Sequence, residues 1–267
     1  LRSIIDSGAA KVCHLDKIFR QAANSYIITN AHQINRGMMP DFPTKGQDND
    51  RQPVDFYLFP ADTPETAASW ISNLVCTRIP RQFNLNGKAD IQVLSPIYRG
   101  AAGVDMLNET LQARLNPQSP GCPEQVFSSR TFRVGDKLMQ IRNDYDKGVF
   151  NGDIGQLIDL DRVEQTLVVE IDGRSVVYDW DEADQLVHAY AITVHKSQGS
   201  EFPAVVLPVI PHHYIMLQRN LLYTAITRAR QLCVLVGNQR AIEIAVRNNK
   251  VAQRYTGLEH RLRTVQT

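Results

Sequence analysis

Residues 190–202, Tyr-Ala-Ile-Thr-Val-His-Lys-Ser-Gln-Gly-Ser-Glu-Phe, limit the fold more than any other part of the chain. The stretch begins as an apolar, β-branched run of strand type, turns polar at Thr193 and closes at Gly199. A second apolar run follows from Ala204 to Ile210. Two such strands joined by a compact polar turn suit a parallel sheet, and α/β proteins place their ligands at its carboxyl edge. A hydroxyl, an imidazole, an ammonium, an amide and a carboxylate are packed into that turn, a set for which a plain surface loop has no use.

At 267 residues the chain has room for a sizeable core and for one or two domains. Its 43% apolar and 21% charged residues are those of an ordinary globular protein. The sequence holds no apolar run near the ~20 residues of a membrane span. Its first residues, Leu1-Arg2-Ser3-Ile4-Ile5-Asp6, include neither an initiator Met nor a signal peptide, as expected of a segment cut from a longer cytoplasmic protein. Cys13, Cys76, Cys122 and Cys233 are too scattered for a metal-type pair and read as free thiols. The net charge of +1 hides an asymmetry: residues 144–184 carry twelve Asp/Glu against three Lys/Arg, or −9, leaving +10 on the rest. A polyanion would bind on that basic remainder.

In chain order, residues 16–36 read as a helix that places Ile27, Ala31 and Ile34 on one face and stops at Gly37. Arg20, near its start, reads by itself as a solvated or salt-bridged side chain. After a Pro- and Gly-containing loop comes a short strand at 56–59. A helix then opens on Thr63-Pro64-Glu65, with a hydroxyl cap, a first-turn proline and an acid at the positive dipole end. A buried-type strand at 91–94 runs into Ser95-Pro-Ile-Tyr98-Arg99-Gly and then a helix with Val104, Leu107, Leu111 and Leu115 on one face. Tyr98-Arg99 pairs an aromatic platform with a phosphate-seeking guanidinium, useful on single strands, although such a dipeptide by itself is more often structural.

From 132 to 178 the pattern becomes short β-type runs, at 132–142, 154–160, 166–171 and 175–178. Asn151-Gly152-Asp153 and Asp172-Gly173 between them supply hairpin turns. This is a small inserted β-barrel, and it is the acidic segment. Beyond residue 202 the pattern predicts a helix over about 213–231, a strand at 232–236 and a helix over 239–248. Thr224, Thr227 and Arg228 share one side of the first helix, either as a solvated face or as a functional one.

Three segments together carry a resemblance. Thr193-Val-His-Lys-Ser-Gln-Gly-Ser-Glu-Phe resembles helicase motif V, Tyr223-Thr-Ala-Ile-Thr-Arg-Ala-Arg resembles motif VI, and Phe19-Arg-Gln-Ala resembles motif IV. Their order and wording are similar to superfamily 1 helicases of the RecD/TraA type, and Phe132-Arg-Val-Gly-Asp-Lys and Phe150-Asn-Gly-Asp-Ile-Gly are similar to that family's inserted SH3-like barrel.

The fold this implies is α/β: a RecA-like parallel-sheet domain, 2A, at 1–128 and 188–267, with the SH3-like barrel, 2B, inserted at 129–187. By resemblance, Arg228 and Arg20 would sense the γ-phosphate of ATP held with Mg²⁺, Glu201 would meet the ribose, and Gln198 with Gly199 would shape the turn beside it. Thr193, His195 and Lys196 would face the backbone of single-stranded DNA, with Ser95, Tyr98 and Arg99 on the same path. RecB- and RecC-like subunits are further partners the family implies, along with DNA repair or recombination and movement from 5′ to 3′.

The departures matter as much. A P-loop needs Gly-x-x-x-x-Gly-Lys-Ser/Thr, and the single Gly-Lys here, Gly87-Lys88, is followed by Ala89 and has Gln82 where the first glycine belongs. No apolar strand ends in Asp-Glu. Those parts are expected on an N-terminal motor domain outside this sequence, so the chain alone is expected neither to hydrolyse ATP nor to unwind DNA. A pure binding module on a degenerate RecA-like scaffold is the alternative. No metal-ligand set is expected, and no acidic cluster outside the barrel suggests nuclease chemistry.

Overall fold

The computed structural model describes residues 2–13, 25–43, 54–128, 130–249 and 257–265. Arg20 and the rest of the motif IV-like segment lie outside them. Helix α1 (Arg2–Ser7) comes first and α2 (Tyr26–Asn35) next. Ser25 caps α2: its hydroxyl accepts from the Ile28 N–H and donates to Asp55. Strand β1 (Phe56–Pro60) leads to α3 (Pro64–Asn73), which opens on the Thr63 cap read in the sequence. A π-helical turn, Leu74–Arg78, joins α3 to α4 (Ile79–Phe83). Then come β2 (Ile91–Ser95) and α5 (Val104–Leu115).

The antiparallel part follows as a hairpin, β3 (Glu124–Phe127) with β4 (Arg130–Arg133), and then β5 (Lys137–Gln140), β6 (Ile154–Asp161), β7 (Thr166–Ile171), β8 (Arg174–Asp179) and β9 (Leu186–His188). The chain returns through β10 (Ala191–Thr193), β11 (Phe202–Val209), α6 (Arg219–Ile226), β12 (Ala229–Gly237) and α7 (Gln239–Arg247). Helix α8 (Leu258–Val265) lies beside α1, with Arg263 donating to the Asp6 carbonyl.

Five strands, in the order β1-β12-β11-β2-β10, form one all-parallel sheet. Its two faces carry separate apolar layers. Ile27, Ile34, Leu222 and Ile242 pack on one, and Ile71, Leu74, Leu107 and Leu111 on the other. That is the helix–sheet–helix arrangement of a RecA-like domain. β11 is buried along nearly its whole length and β12 from Leu232 onward, which is why these stretches read as unbroken apolar runs. Where they end together, a Cβ on Gly237 would stand 1.8 Å from the Val209 carbonyl oxygen, so only glycine fits there. The barrel sheet, β8-β7-β6-β5-β9, has a core of its own around Leu138, Leu157, Leu167 and Tyr178. Asp172 and Gly173 both take positive φ between β7 and β8, the hairpin geometry expected of that dipeptide.

Two expectations are corrected. The strand expected over 132–142 is two strands, broken by a turn at Gly135, whose φ is +92°. The helix expected over about 213–231 is a 3₁₀ turn, Pro211–Met216, followed by the two turns of α6 and the start of β12. Buried Leu217 breaks the first part from the second, and the Phe202 N–H takes the Arg228 carbonyl, drawing the next residues into the sheet. Pairing in the sheet overrides helical propensity there.

The junction between sheet and barrel is polar and buried. The Asp136 carboxylate, with no solvent exposure, accepts from Gln112 Nε2 (2.7 Å), Asn116 Nδ2 (2.8 Å), the Arg133 N–H (2.8 Å) and the Tyr190 hydroxyl (2.9 Å), with His188 Nε2 at 3.3 Å. Burial by itself would raise this carboxyl. The hydrogen bonds from His188, Asn116 and Arg133 outweigh it and hold the group below the usual carboxylate range. Beside it Lys137 donates to the Ile91 carbonyl at 3.3 Å, its pKa pushed down to about 8 by burial against the opposing pull of Asp90. Lys88, of the Gly-Lys pair, is committed here too, bonding Asn116 Oδ1 and the Gly135 carbonyl, each at 3.2 Å.

Asn108 on α5 performs a second clamping role, accepting from the Ala191 N–H (2.8 Å) and donating to its carbonyl (2.9 Å) on the side of β10 that faces away from β2. Asp136→Ala leaves several buried donors without an acceptor and is expected to cost at least about 3 kcal/mol in urea unfolding. His213 is buried with neither ring nitrogen bonded, and burial followed by the neighbouring His212 lowers its pKa to about 4. Between pH 6.5 and 4 the unfolded chain therefore binds a proton at this site that the fold does not, so stability falls on acidification. A His213→Phe variant is expected to flatten that part of the stability–pH curve.

Candidate nucleic-acid interface and nucleotide edge

Strand register determines where the ligand-type residues lie. Thr193 stands opposite Ser95 at the carboxyl ends of β10 and β2, whereas Phe202 stands opposite Ala229 at the amino ends of β11 and β12. Ala204 pairs with Ile91, so residues 194–201 descend the length of β2, about 13 Å at ~3.3 Å per residue. The turn expected to gather its whole set at the carboxyl edge is instead a connection from one edge of the sheet to the other. This corrects the one-edge expectation, and its cause is the position of β2 between β10 and β11.

At the carboxyl edge the chain makes one tight coil. The Lys196 N–H donates to both oxygens of Thr193, at 3.0 Å to the carbonyl and 3.2 Å to Oγ1, and Ser197 Oγ donates to the Val194 carbonyl at 2.8 Å. His195 is left exposed, and the Lys196 ammonium lies 2.5 Å from Asn151 Oδ1 on the barrel. Thr193, Lys196 and Tyr98 line one cleft of about 790 Å³ between α5, the β3–β4 hairpin and the barrel, with Arg130 on its wall. Arg99 is exposed next to Tyr98 but is not part of the lining. Ser95 differs from the expectation: it is fully buried, and its hydroxyl donates to the Ala102 carbonyl at 2.8 Å. It shapes the turn that carries Tyr98 and Arg99 and has no face toward a ligand.

At the amino edge α6 delivers Arg228. Its guanidinium donates to the carbonyls of Thr224 (3.2 Å) and Ser200 (3.0 Å) and to Thr227 Oγ1 (3.2 Å), tying the end of α6 to the end of the 194–201 connection. Glu201 pairs with Arg230 at 2.8 Å, both side chains more than half exposed. Gln198 is exposed, and Gly199 takes φ +90° with open space where a Cβ would project. An arginine held by backbone carbonyls and an accessible carboxylate suit a polyphosphate and a sugar hydroxyl on an approaching nucleotide. Among the described residues no His/Cys/Asp/Glu group is arranged to hold a metal ion, and no helix is long and apolar enough to cross a membrane.

Sequence reasoning missed Asn151 as a partner of Lys196, Asn108 as the clamp on β10, and the Asp136 hub. Asn151-Gly152 read only as turn chemistry, and nothing in the sequence brings residue 151 beside residue 196. For Asp136 a signal existed: a carboxylate flanked by glycine and lysine inside an apolar strand pattern.

Residues 107–171 match the ATP-dependent RecD-like DNA helicase SH3 domain, and residues 188–236 match the UvrD-like helicase C-terminal domain. These two segments are thus similar to domains of RecD-like and UvrD-like helicases. The chain is 33% identical over 96% of its length to the ATP-dependent RecD2 DNA helicase of Deinococcus radiodurans, of which it covers 32%. It is 30% identical over 62% of its length to the RecBCD enzyme subunit RecD of Mycolicibacterium smegmatis, covering 28% of that protein. Thus it spans about a third or less of these relatives. Among solved structures it is similar to the Pif1 helicase from Bacteroides in complex with ADP-AlF3 and ssDNA, at 19% identity and TM-score 0.47, over 83% of this chain and 51% of that one. The two arginines of the amino edge differ in their setting. Arg228→Ala is expected to cost about 1–3 kcal/mol through its lost hydrogen bonds. Arg230→Ala, at an exposed ion pair, is expected to cost less than about 1 kcal/mol. Urea unfolding of the two variants checks both.

Proposed function

We propose that this chain is the second motor domain, with its barrel, of an ATP-dependent DNA helicase that moves along single-stranded DNA from 5′ to 3′. What supports this most is the 194–201 connection. It joins Thr193, His195 and Lys196 at the carboxyl edge to Glu201 and the Arg228 contact at the amino edge through one short length of backbone. ATP with Mg²⁺ would supply the phosphoryl chemistry. This chain's part is to present the Arg228 guanidinium to the terminal phosphate, Glu201 to the ribose, and Gln198 with Gly199 as the turn beside it, with Arg20 as a second guanidinium.

The phosphate cradle and magnesium ligands belong, on this reading, to an N-terminal motor domain, since Lys88 is spent on Asn116 and Gly135. The chain by itself is inactive as an ATPase. Thr193, His195 and Lys196 hold the DNA backbone, and Tyr98 and Arg99 extend that surface. RecB- and RecC-like subunits are further partners, and the setting is cytoplasmic DNA repair or recombination. In the full-length helicase Arg228→Ala should reduce DNA-stimulated ATP hydrolysis at least about a hundredfold while leaving nucleotide binding largely intact. Turnover at the parent rate would refute the assignment.

A further inference from the structure

The motor reading leaves one exposed feature of the barrel without a use. Tyr145 is 78% exposed and Phe150 47% exposed, unusual for two rings of a small acidic domain, and they meet edge to face with centroids 6.0 Å apart. The loop that carries them is rigidly built. Asp144 and Val149 exchange backbone hydrogen bonds at 2.8 and 3.0 Å, and the Asp144 carboxylate caps the N–H groups of Asp146 and Lys147. Asp153 accepts from the Phe150 N–H at 2.7 Å. Asn143 ties the two halves, accepting from the Asn151 N–H at 2.9 Å and reaching the Tyr145 hydroxyl at 3.4 Å. Asn151, the residue after Phe150, holds the Lys196 ammonium. Phe150 is therefore one residue from the side chain that holds the motif V-like lysine, and Tyr145 packs against Phe150.

We propose that Tyr145 and Phe150 form a platform on which a base of single-stranded DNA stacks as the strand passes Lys196. The inference rests on the strand-binding reading of Thr193, His195 and Lys196. The charge around the pair selects the part of the strand that is bound. Asp144, Asp146 and Asp153 flank the rings, so phosphates are repelled and the uncharged base is the group that can approach. The backbone stays on the lysine side. The contact is indifferent to sequence, because every base offers a π-face.

The test is a titration of the 267-residue chain with fluorescein-labelled oligothymidylate and with an abasic oligomer of equal length, followed by anisotropy over a range of salt. Tyr145→Ala with Phe150→Ala is expected to weaken oligothymidylate binding about tenfold, to leave abasic binding unchanged and to keep the salt slope. Tyr145→Phe should retain affinity. Lys196→Ala should instead weaken both oligomers and reduce the salt slope by about 1. Equal loss on both oligomers, or no loss on either, overturns the platform. If only the aromatic variant matters and Lys196→Ala with Thr193→Ala leaves affinity and slope untouched, the strand-binding reading fails and the platform stands alone. Absence of any binding by the parent chain overturns both.

Discussion

The structure depends on a buried carboxylate. Asp136 accepts hydrogen bonds from α5, from the start of β5's own turn, and from the segment between β9 and β10, and each of those pieces joins the barrel to the sheet. An uncompensated charge at such a place would cost several kcal/mol, and here every lone pair is answered. The geometry is therefore all or nothing: the two domains share one polar centre that tolerates little sliding. Lys137, held beside it on the Ile91 carbonyl, extends the same tie directly into the strand next to β10.

This fixed junction gives the 194–201 connection its mechanical meaning. One end leaves an edge strand of three residues, held by β2 on one side and by Asn108 on the other. The opposite end runs into β11 and is bonded by Arg228. Between these anchors the chain is a short coil with its own internal hydrogen bonds, too short to absorb much slack. Residues that read as one crowded turn are thus separated by the depth of the sheet and still linked through the backbone.

The fold class was legible because burial on both faces writes itself as unbroken apolar runs in β2, β11 and β12, and because turn dipeptides such as Asp172-Gly173 admit few geometries. The α6 region was not legible: Asn220 to Arg230 is good helical sequence, and only the demand of β11 for a partner strand converts its last residues. For the candidate site, Arg228, Glu201, Thr193 and Lys196 stood out through the resemblance of their segments to helicase motifs, and local sequence does not specify that the fold sets them at two opposite edges of one sheet. Ser95 shares their chemistry, but its burial depends on the path of the 97–102 turn, which a sequence pattern does not specify. Asn108, Asn151 and Asp136 act across separations of 83, 45 and 54 residues, and a local pattern carries no trace of such partners.

Asn108 has a wider consequence. A sheet that ends in an exposed strand offers unpaired N–H and C=O groups as a template for another chain. On β10 the side-chain amide of Asn108 meets Ala191 through one donor and one acceptor, as a neighbouring strand's backbone would. The sheet is in effect sealed at Ala191 by a single residue of a helix, so the domain can carry β10 at its rim without inviting fibrous self-association.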